Sequence, residues 1–227
     1  GVHRATHDII FARTSGDAGS PVGITAFLVP CADPGFVVEH YWWTFNMPSD
    51  HGEVTLTDVR VGSDAVFGRV DHGLELAQHF VHENRIRQAA SSLGAAQHCI
   101  DIAVDYANER VTWGKQLSIN QGIQFPLVEL HTEAAMLRQL IRETAWRLDQ
   151  RHHMEVTHQV AMCNYRANRL ACDAADRGMQ TCGGMGYSRH MPFEHIYRHH
   201  RRYRITEGAE EIQMRKVAQH LFGFGRR

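Results

Sequence analysis

Several features that define common classes of protein are missing from this sequence of 227 residues. No apolar run approaches the ~20 residues that a membrane-spanning helix needs. Charge of one sign is not in excess either, because 24 Lys and Arg nearly cancel 25 Asp and Glu, for a net charge of -1. The sequence therefore gives no electrostatic reason to expect nucleic acid or an anionic membrane as a partner.

Paired cysteines and a leader sequence are missing as well. The cysteines are odd in number and contain no CxxC pair, which indicates reduced thiols in an intracellular protein and disfavours a disulfide framework or a zinc site. They are Cys31, Cys99, Cys163, Cys172 and Cys182. No basic-then-apolar signal peptide begins the chain, so we do not expect secretion. Because Gly1 and not Met comes first, we expect further sequence upstream.

The first third of the chain has the composition of β structure. Runs rich in β-branched and aromatic residues occupy positions 7–13, 23–29 and 35–43, separated by clusters of Gly, Ser, Pro and Asp that are typical of turns. A fourth run, residues 53–61, alternates polar with apolar side chains as a half-buried antiparallel strand does. Four strands are too few to close a barrel, so residues 1–70 are predicted to be the tail of a larger antiparallel β domain.

From about Asp71 onward, apolar residues recur at the three- and four-residue spacing of helices. The long stripes cover residues 86–107, 123–148 and 156–174, the last ended by Gly178 or by the glycine pair at 183–184. A shorter stripe runs from about residue 210 to 222. These patterns predict an antiparallel four-helix bundle over residues 71–227. Strands followed by helices define an α+β fold and disfavour a doubly wound nucleotide fold.

Two glycine-containing motifs are candidates for chemistry. Gly183, Gly184 and Gly186 either let the backbone approach a phosphate closely or end a helix. Their spacing is not GxGxxG, so a dinucleotide fingerprint is not supported. Glu207 precedes Gly208 just ahead of a helix, where its carboxylate either points into a cleft as a base or caps the helix.

Basic residues near the helices give further candidates. Arg110 and Trp113 either hold a phosphate and stack on a flat ring, or complement a helix dipole and fill a corner of the bundle. Arg85 is either a solvated charge or a group that points into a cleft, and its neighbours Glu83 and Asn84 share that ambiguity.

Histidine is frequent, with 17 in the chain, and the sequence does not explain the number. His195 and His199 have the i, i+4 spacing of two metal ligands, and His190 lies near them. Arg198 and neighbouring arginines make the stretch strongly cationic, and no carboxylate pair completes a site. We therefore predict no metal.

In their order and spacing, these motifs resemble the acyl-CoA dehydrogenase family of flavoproteins. The matching segments, which together span essentially the whole chain, are residues 23–29, 52–61, 109–115, 121–127, 183–187 and 206–213. The family plan is a helical domain, a β domain and a four-helix bundle, and the resemblance covers only its later part. It implies that the N-terminal helical domain and the first strands of the β domain are absent from this sequence.

The resemblance implies a reaction and a base. The family uses FAD to convert an acyl-CoA thioester to a 2-enoyl-CoA, with hydride transfer to the flavin, and Glu207 aligns with the general base that removes the α-proton. The N–H of Glu207 would bind the thioester oxygen. Arg85 aligns with an arginine that lines the acyl-CoA cleft, where Asn84 and Gly208 are further substrate-binding candidates. Asn84 stands where one branch of the family has its base, and Glu83 would face about 100° away.

For the cofactor, the resemblance implies an FAD shared between subunits. Positions that hold the adenosine-diphosphate portion of a neighbouring subunit's FAD are occupied here by Arg110, Trp113 and Gln121. Positions near its pyrophosphate are occupied by Gln180, Gly183 and Gly184. The resemblance also implies a homo-oligomer, dimer or tetramer, with an electron-transfer flavoprotein as partner. It further implies a location in the bacterial cytoplasm or the mitochondrial matrix.

Two departures from the family pattern affect the acyl pocket and leave the substrate open. The usual Arg-Asp-Ala reads Arg198-His199-His200, and Thr206 stands where an aromatic residue often precedes the base. Two other functions also stay open, a flavin oxidase or monooxygenase of the same fold and a non-catalytic truncated subunit.

Overall fold

A computed structural model describes residues 1–46 and 51–224 and divides into two compact units, residues 1–80 and 81–227. In the first unit, four strands form two antiparallel pairs. Strand β1 (His7–Arg13) pairs with β2 (Ile24–Pro30), and β3 (Phe36–Trp42) pairs with β4 (His51–Leu56). The first three strands agree with the predicted runs to within one residue at each end.

The connection between β1 and β2 is closed by one side chain and one glycine. Arg13 donates hydrogen bonds to the carbonyl oxygens of Ser15, Ser20 and Val22. Gly23 has a φ of 84°, and a Cβ at this position would lie 2.1 Å from the Ser15 carbonyl oxygen. The tight turn therefore requires glycine here.

The fourth strand is shorter than predicted. Residues 53–61 have the alternation of one strand, but β4 ends at Leu56. Asp58 has a φ of 53°, which is outside the extended region that a strand needs. The alternation therefore continues in sequence beyond the point where the backbone leaves the sheet.

Five helices and one short hairpin follow. Helix α1 (Gly73–Glu109) precedes the hairpin of β5 (Val111–Thr112) and β6 (Lys115–Gln116). The remaining helices are α2 (Gln121–Gln150), α3 (Thr157–Tyr187), α4 (Phe193–Arg201) and α5 (Glu210–Phe222). The α+β fold class and the helical character of the second unit are confirmed, with one helix more than the four predicted.

The core of the second unit consists mainly of small and medium apolar side chains from the first four of these helices. Its fully buried members include Ala89, Ala96, Cys99, Ala134, Cys163, Ala167, Leu170 and Phe193. Small residues such as alanine allow helices to pack closely, and the burial of their apolar surface stabilises the fold. The stripe predicted on α3 is buried as expected. On α1 the prediction was less accurate, because Ala90 and Val104 are exposed.

Helix α4 is the helix that the sequence analysis missed. Its nine residues are mostly His, Arg and Glu, and its apolar residues Phe193, Ile196 and Tyr197 have helical spacing but form only a short stripe. It is held by Phe193, which is fully buried, and by an ion pair in which Arg198 Nε donates to Glu194 at 2.7 Å. Gly178 does not end α3 but leaves room for Phe193, since a Cβ there would lie 2.3 Å from the ring.

A buried polar network connects α1, α3 and α4. Ser92 Oγ donates to Asn168 Oδ1 at 2.7 Å and lies 2.9 Å from Nδ1 of His200. Asn168 Nδ2 donates to the Tyr203 carbonyl oxygen at 2.9 Å. Burial, with the adjacent positive charge of His199 and Arg202, lowers the pKa of His200 to about 4.

Two further findings concern metals and membranes. Among the described residues, no group of three or more His, Cys, Asp or Glu side chains is arranged to hold a metal ion. In the same part of the chain, no helix is long and apolar enough to span a membrane.

Folding stability should depend on pH through His200. The unfolded chain protonates this side chain near pH 6.5, whereas the folded protein does so only near pH 4. The unfolded state therefore binds more protons between these values, and the free energy of unfolding falls by on the order of 2 kcal/mol as pH decreases through that window. Denaturant titrations at pH 7, 6, 5 and 4 should show this loss. It should shrink in His200→Gln and persist in His98→Gln, which alters an exposed histidine of α1; equal losses in both variants would contradict the assignment.

Candidate functional site

The loop between the 3-10 turn at Arg202–Arg204 and α5 has an unusual backbone at two consecutive residues. Glu207 has a φ of 60° and Gly208 a φ of 95°. A left-handed conformation at a non-glycine residue costs of order 1 kcal/mol or more and persists only where the surrounding structure enforces it. The loop must therefore be held by its neighbours.

Two side chains from different helices hold this loop through its carbonyl oxygens. Arg85 of α1 donates to the Glu207 carbonyl oxygen from Nε, at 3.0 Å, and from Nη2. Gln213 of α5 donates from Nε2 to the same oxygen at 3.1 Å and to the Gly208 carbonyl oxygen at 2.9 Å. A Cβ at Gly208 would lie 3.1 Å from Gln213 Nε2 and 3.3 Å from Arg85 Nη2. Glycine is thus suited to this position by both its φ and its surroundings.

The carboxylate of Glu207 is oriented by α1. Asn84 donates from Nδ2 to Glu207 Oε1, and its own Oδ1 accepts from Arg87 Nε at 3.0 Å. Asn84 is 7% exposed, whereas Glu207 is half-buried and keeps access to the outside. Glu207 does not cap α5, because the helix is preceded by Ala209. The capping hypothesis is therefore wrong, and the hypothesis of a carboxylate in a cleft remains.

Arg85 is buried, with 5% of its surface exposed, so the hypothesis of a solvated helix charge is wrong. Burial lowers the pKa of its guanidinium and the charge of Glu207 opposes that shift, but an arginine stays protonated in proteins. The backbone carbonyl of Arg85 accepts from Asn164 Nδ2 at 3.3 Å. Glu83 is exposed on another face of α1, as its position in the helix predicts.

The start of α5 is fixed by an ion-pair cluster that the sequence analysis did not find. Arg169 of α3 and Arg204 each donate two hydrogen bonds to the carboxylate of Glu210, over distances of 2.8 to 3.1 Å. These bonds lower the pKa of Glu210 to about 2. Glu210 lies in the first turn of α5, where a negative charge also interacts favourably with the helix dipole. The only sequence signal was the arginine six residues before the glutamate.

A second group missed from the sequence is Lys216 of α5. It is half-buried, and burial together with the positive charge of Arg85 lowers its pKa to about 8. Lysine is common on amphipathic helices, so the sequence alone does not indicate that the charge of Arg85 acts on Lys216.

A cavity of about 650 Å³ brings three of the candidate cofactor-binding residues together. Arg110, Gly183 and Gly184 line it, with Thr181 beside them. Gly183 has a φ of 60° within α3, and a Cβ at either glycine would meet no atom within 4 Å. The Thr181 hydroxyl is buried and has no hydrogen-bond partner. The Arg110 guanidinium and the open glycine backbone are donors that suit a phosphate, and the carboxylate-bearing Glu109 also lines the cavity.

The other three candidates for cofactor binding do not line this cavity. Trp113, with a φ of 55°, and Gly114, with a φ of 77°, form the turn between β5 and β6, and the indole is fully exposed. Gln121 is the first residue of α2, and Gln180 lies on α3 one turn before Gly183; both are exposed.

Comparison with known proteins gives consistent results. The family model "Acyl-CoA dehydrogenase, C-terminal domain" matches residues 71–222. The chain is 33% identical over 214 residues to the mitochondrial short-chain specific acyl-CoA dehydrogenase of Bos taurus, covering 94% of this chain and 51% of that protein. The chain is also 32% identical over 216 residues to an acyl-CoA dehydrogenase of Bacillus subtilis, covering 95% of this chain and 56% of that protein.

A solved structure agrees with these sequence matches. Butyryl-CoA dehydrogenase from Megasphaera elsdenii superposes with a TM-score of 0.86 at 27% identity, covering 97% of this chain and 57% of that one. The chain thus spans about half the length of the relatives it matches.

Replacing Gly208 with alanine should destabilise the protein, whereas the same change at a glycine of α1 should not. Gly208→Ala would introduce a Cβ at a φ of 95° and within 3.3 Å of two fixed donors, so we expect a loss of about 1–3 kcal/mol in the free energy of unfolding. Gly94→Ala is the control, since Gly94 lies in α1 with open space around it. It should gain about 0.5–1 kcal/mol. Similar effects of both variants in denaturant unfolding would contradict this reading of the loop.

Proposed function

This chain belongs to the acyl-CoA dehydrogenase family, and from that premise we propose that it carries the catalytic base and part of the FAD site of an enzyme that converts an acyl-CoA to a 2-enoyl-CoA. The observation that carries the proposal is the carboxylate of Glu207, oriented by Asn84 on a loop that Arg85 fixes in a left-handed conformation. Such a preformed, half-buried carboxylate is suited to proton abstraction.

Glu207 is proposed to remove the proton from the α-carbon of the thioester. The α-carbon is a weak acid, so the base must be positioned and the developing negative charge on the thioester oxygen must be stabilised. The backbone N–H of Glu207 is proposed to bind that oxygen. In the described part of the chain this N–H bonds to no acceptor, which leaves it available for a ligand.

The cofactor of the family is FAD, which when bound accepts the hydride that leaves the β-carbon. The cavity with Arg110, Gly183 and Gly184 fits a phosphate-bearing group, because the buried Thr181 hydroxyl lacks a partner and the glycine backbone is open. We propose that these residues hold the FAD pyrophosphate region. We also propose that Trp113, Gln121 and Gln180 contact FAD, and the family resemblance supports this.

The domain assignment, the oligomeric state, the electron acceptor and the location of the protein are also proposals. Residues 1–70 are assigned to the family's middle β domain and residues 71–227 to its C-terminal helical domain. A homo-oligomer, dimer or tetramer, is supported by exposed apolar side chains on and before α2, among them Ile119, Phe125 and Val128. An electron-transfer flavoprotein as acceptor, and a bacterial cytoplasmic or mitochondrial matrix location, follow from the family resemblance, and one relative, the enzyme of Bos taurus, is named as mitochondrial.

Glu207→Gln tests the base directly. In a flavin-loaded protein that also contains the segments expected upstream of residue 1, anaerobic addition of an acyl-CoA should bleach the flavin absorbance, and the substitution should slow bleaching by about 10²–10⁴-fold while flavin stays bound. Glu211→Gln, which changes an exposed carboxylate of α5, should have no such effect. Undiminished bleaching in Glu207→Gln would refute the base assignment. Rapid reoxidation by O2 would instead favour the flavin oxidase alternative.

Arg110→Met tests the phosphate cavity. Loss of one charge-assisted pair should weaken FAD binding about tenfold or more, as measured by flavin fluorescence during titration of the apoprotein. Arg142→Met removes an exposed arginine from α2 and should leave FAD affinity unchanged. If both variants bind FAD as tightly as the parent, Arg110 does not contact the cofactor.

A further inference from the structure

One face of α5 is directed toward the Glu207 loop and Arg85. Gln213 donates to the carbonyl oxygens of Glu207 and Gly208, and Ile212 Cγ2 lies 3.7 Å from a Cβ built at Gly208. Lys216 follows these two residues by three and four positions, so it shares their face one turn further along the helix. Lys216 therefore lies on the same side of α5 as the candidate site.

On this side of α5, neither the Arg85 guanidinium nor the Lys216 ammonium is bound to a carboxylate. The Arg85 guanidinium donates to a backbone carbonyl and not to a carboxylate, while the Glu207 carboxylate accepts from Asn84. Among residues 1–46 and 51–224, neither Arg85 nor Lys216 forms an ion pair with a carboxylate. The positive charge of Arg85 acts on Lys216 strongly enough to contribute to the lowered pKa of its ammonium group.

Such an arrangement is costly unless an anion completes it. Charges that are partly removed from water are normally paired, and here Arg85 is buried and Lys216 half-buried. Arg85 uses two of its five N–H donors on the Glu207 carbonyl oxygen, so three remain. Lys216 contributes an ammonium on a flexible stem. Together they form a donor set that suits an anionic group such as a carboxylate.

We infer that Lys216 is a specificity-determining residue that favours acyl-CoA thioesters whose acyl chain carries a carboxylate. This inference rests on the proposed function, because it places the acyl chain beside Glu207. In the proposed arrangement the α-carbon lies at the Glu207 carboxylate, and the distal carboxylate of the acyl chain lies between Lys216 and Arg85. A plain alkyl chain would offer no anionic partner to Lys216 or to the remaining donors of Arg85.

The test compares matched thioesters on a flavin-loaded protein that also contains the segments expected upstream of residue 1. Adipoyl-CoA and hexanoyl-CoA, or glutaryl-CoA and pentanoyl-CoA, differ only in a terminal carboxylate or methyl group. Dissociation constants from flavin spectral changes, with bleaching rates, should show the carboxylate member preferred by about 10- to 100-fold. Lys216→Met should abolish most of this preference, and Lys216→Arg should retain part of it. Lys115→Met, which alters an exposed lysine of β6, should leave the preference intact.

The outcomes separate the inference from the proposed function. A parent protein that bleaches with hexanoyl-CoA but shows no preference for adipoyl-CoA overturns the inference alone, whether or not Lys216→Met folds. Equal weakening of both thioesters in Lys216→Met also overturns it, since the anion would then be a phosphate that the two thioesters share or one from the flavin. If no thioester bleaches the flavin, the proposed function fails and the inference fails with it.

Discussion

The bond between the buried Arg85 guanidinium and the backbone carbonyl of Glu207 is the constraint on which the candidate site depends. A glutamate in the left-handed region, followed by a glycine at φ 95°, would relax if nothing opposed it. The charged donor from α1 and the amide of Gln213 both bind the same carbonyl oxygen, so relaxation of the loop would leave a buried cation without its acceptor. Because losing this acceptor costs more free energy than the backbone strain at Glu207, the loop keeps its conformation and the carboxylate is held in place.

That constraint is effective because both of its ends are themselves fixed. Arg85 lies on a long helix whose backbone accepts a hydrogen bond from Asn164 of α3, and α5 begins at a carboxylate that Arg169 and Arg204 clamp from two sides. Helices α1, α3 and α5 thus converge on a loop of a few residues. A catalytic group needs its surroundings to be rigid, and here the rigidity comes from charge-assisted hydrogen bonds between helices as well as from apolar packing.

The sequence predicted what depends on local pattern and missed what depends on tertiary neighbours. The β-branched and aromatic composition of short runs between turn clusters located the first three strands. Periodicity located α3 and α5, because apolar spacing reports directly on which face is buried. Helix α4 has this spacing only at Phe193, Ile196 and Tyr197, over a short segment rich in charge, and Phe193 fills the space that Gly178 leaves on α3. The burial of Arg85 and the partners of Glu210 and Lys216 could not be predicted in the same way, because a charged residue is buried only where distant residues satisfy or tolerate its charge. The family resemblance selected Glu207 and Arg85, and the structure places them in contact.

The ions around the loop are of two kinds. Some are hydrogen-bonded to an opposite charge, and others are not. At Glu210, one carboxylate accepts two hydrogen bonds from each of two arginines, which is the close pairing that a structural ion cluster requires. At Arg85 and Lys216 the cations lack such direct pairing, since the carboxylate of Glu207 is bonded to Asn84. An apolar residue at position 216 would remove that cost without disturbing the bonds that fix the loop. A lysine there is therefore poorly explained by stability, and sites that sacrifice stability in this way are commonly those that bind a ligand.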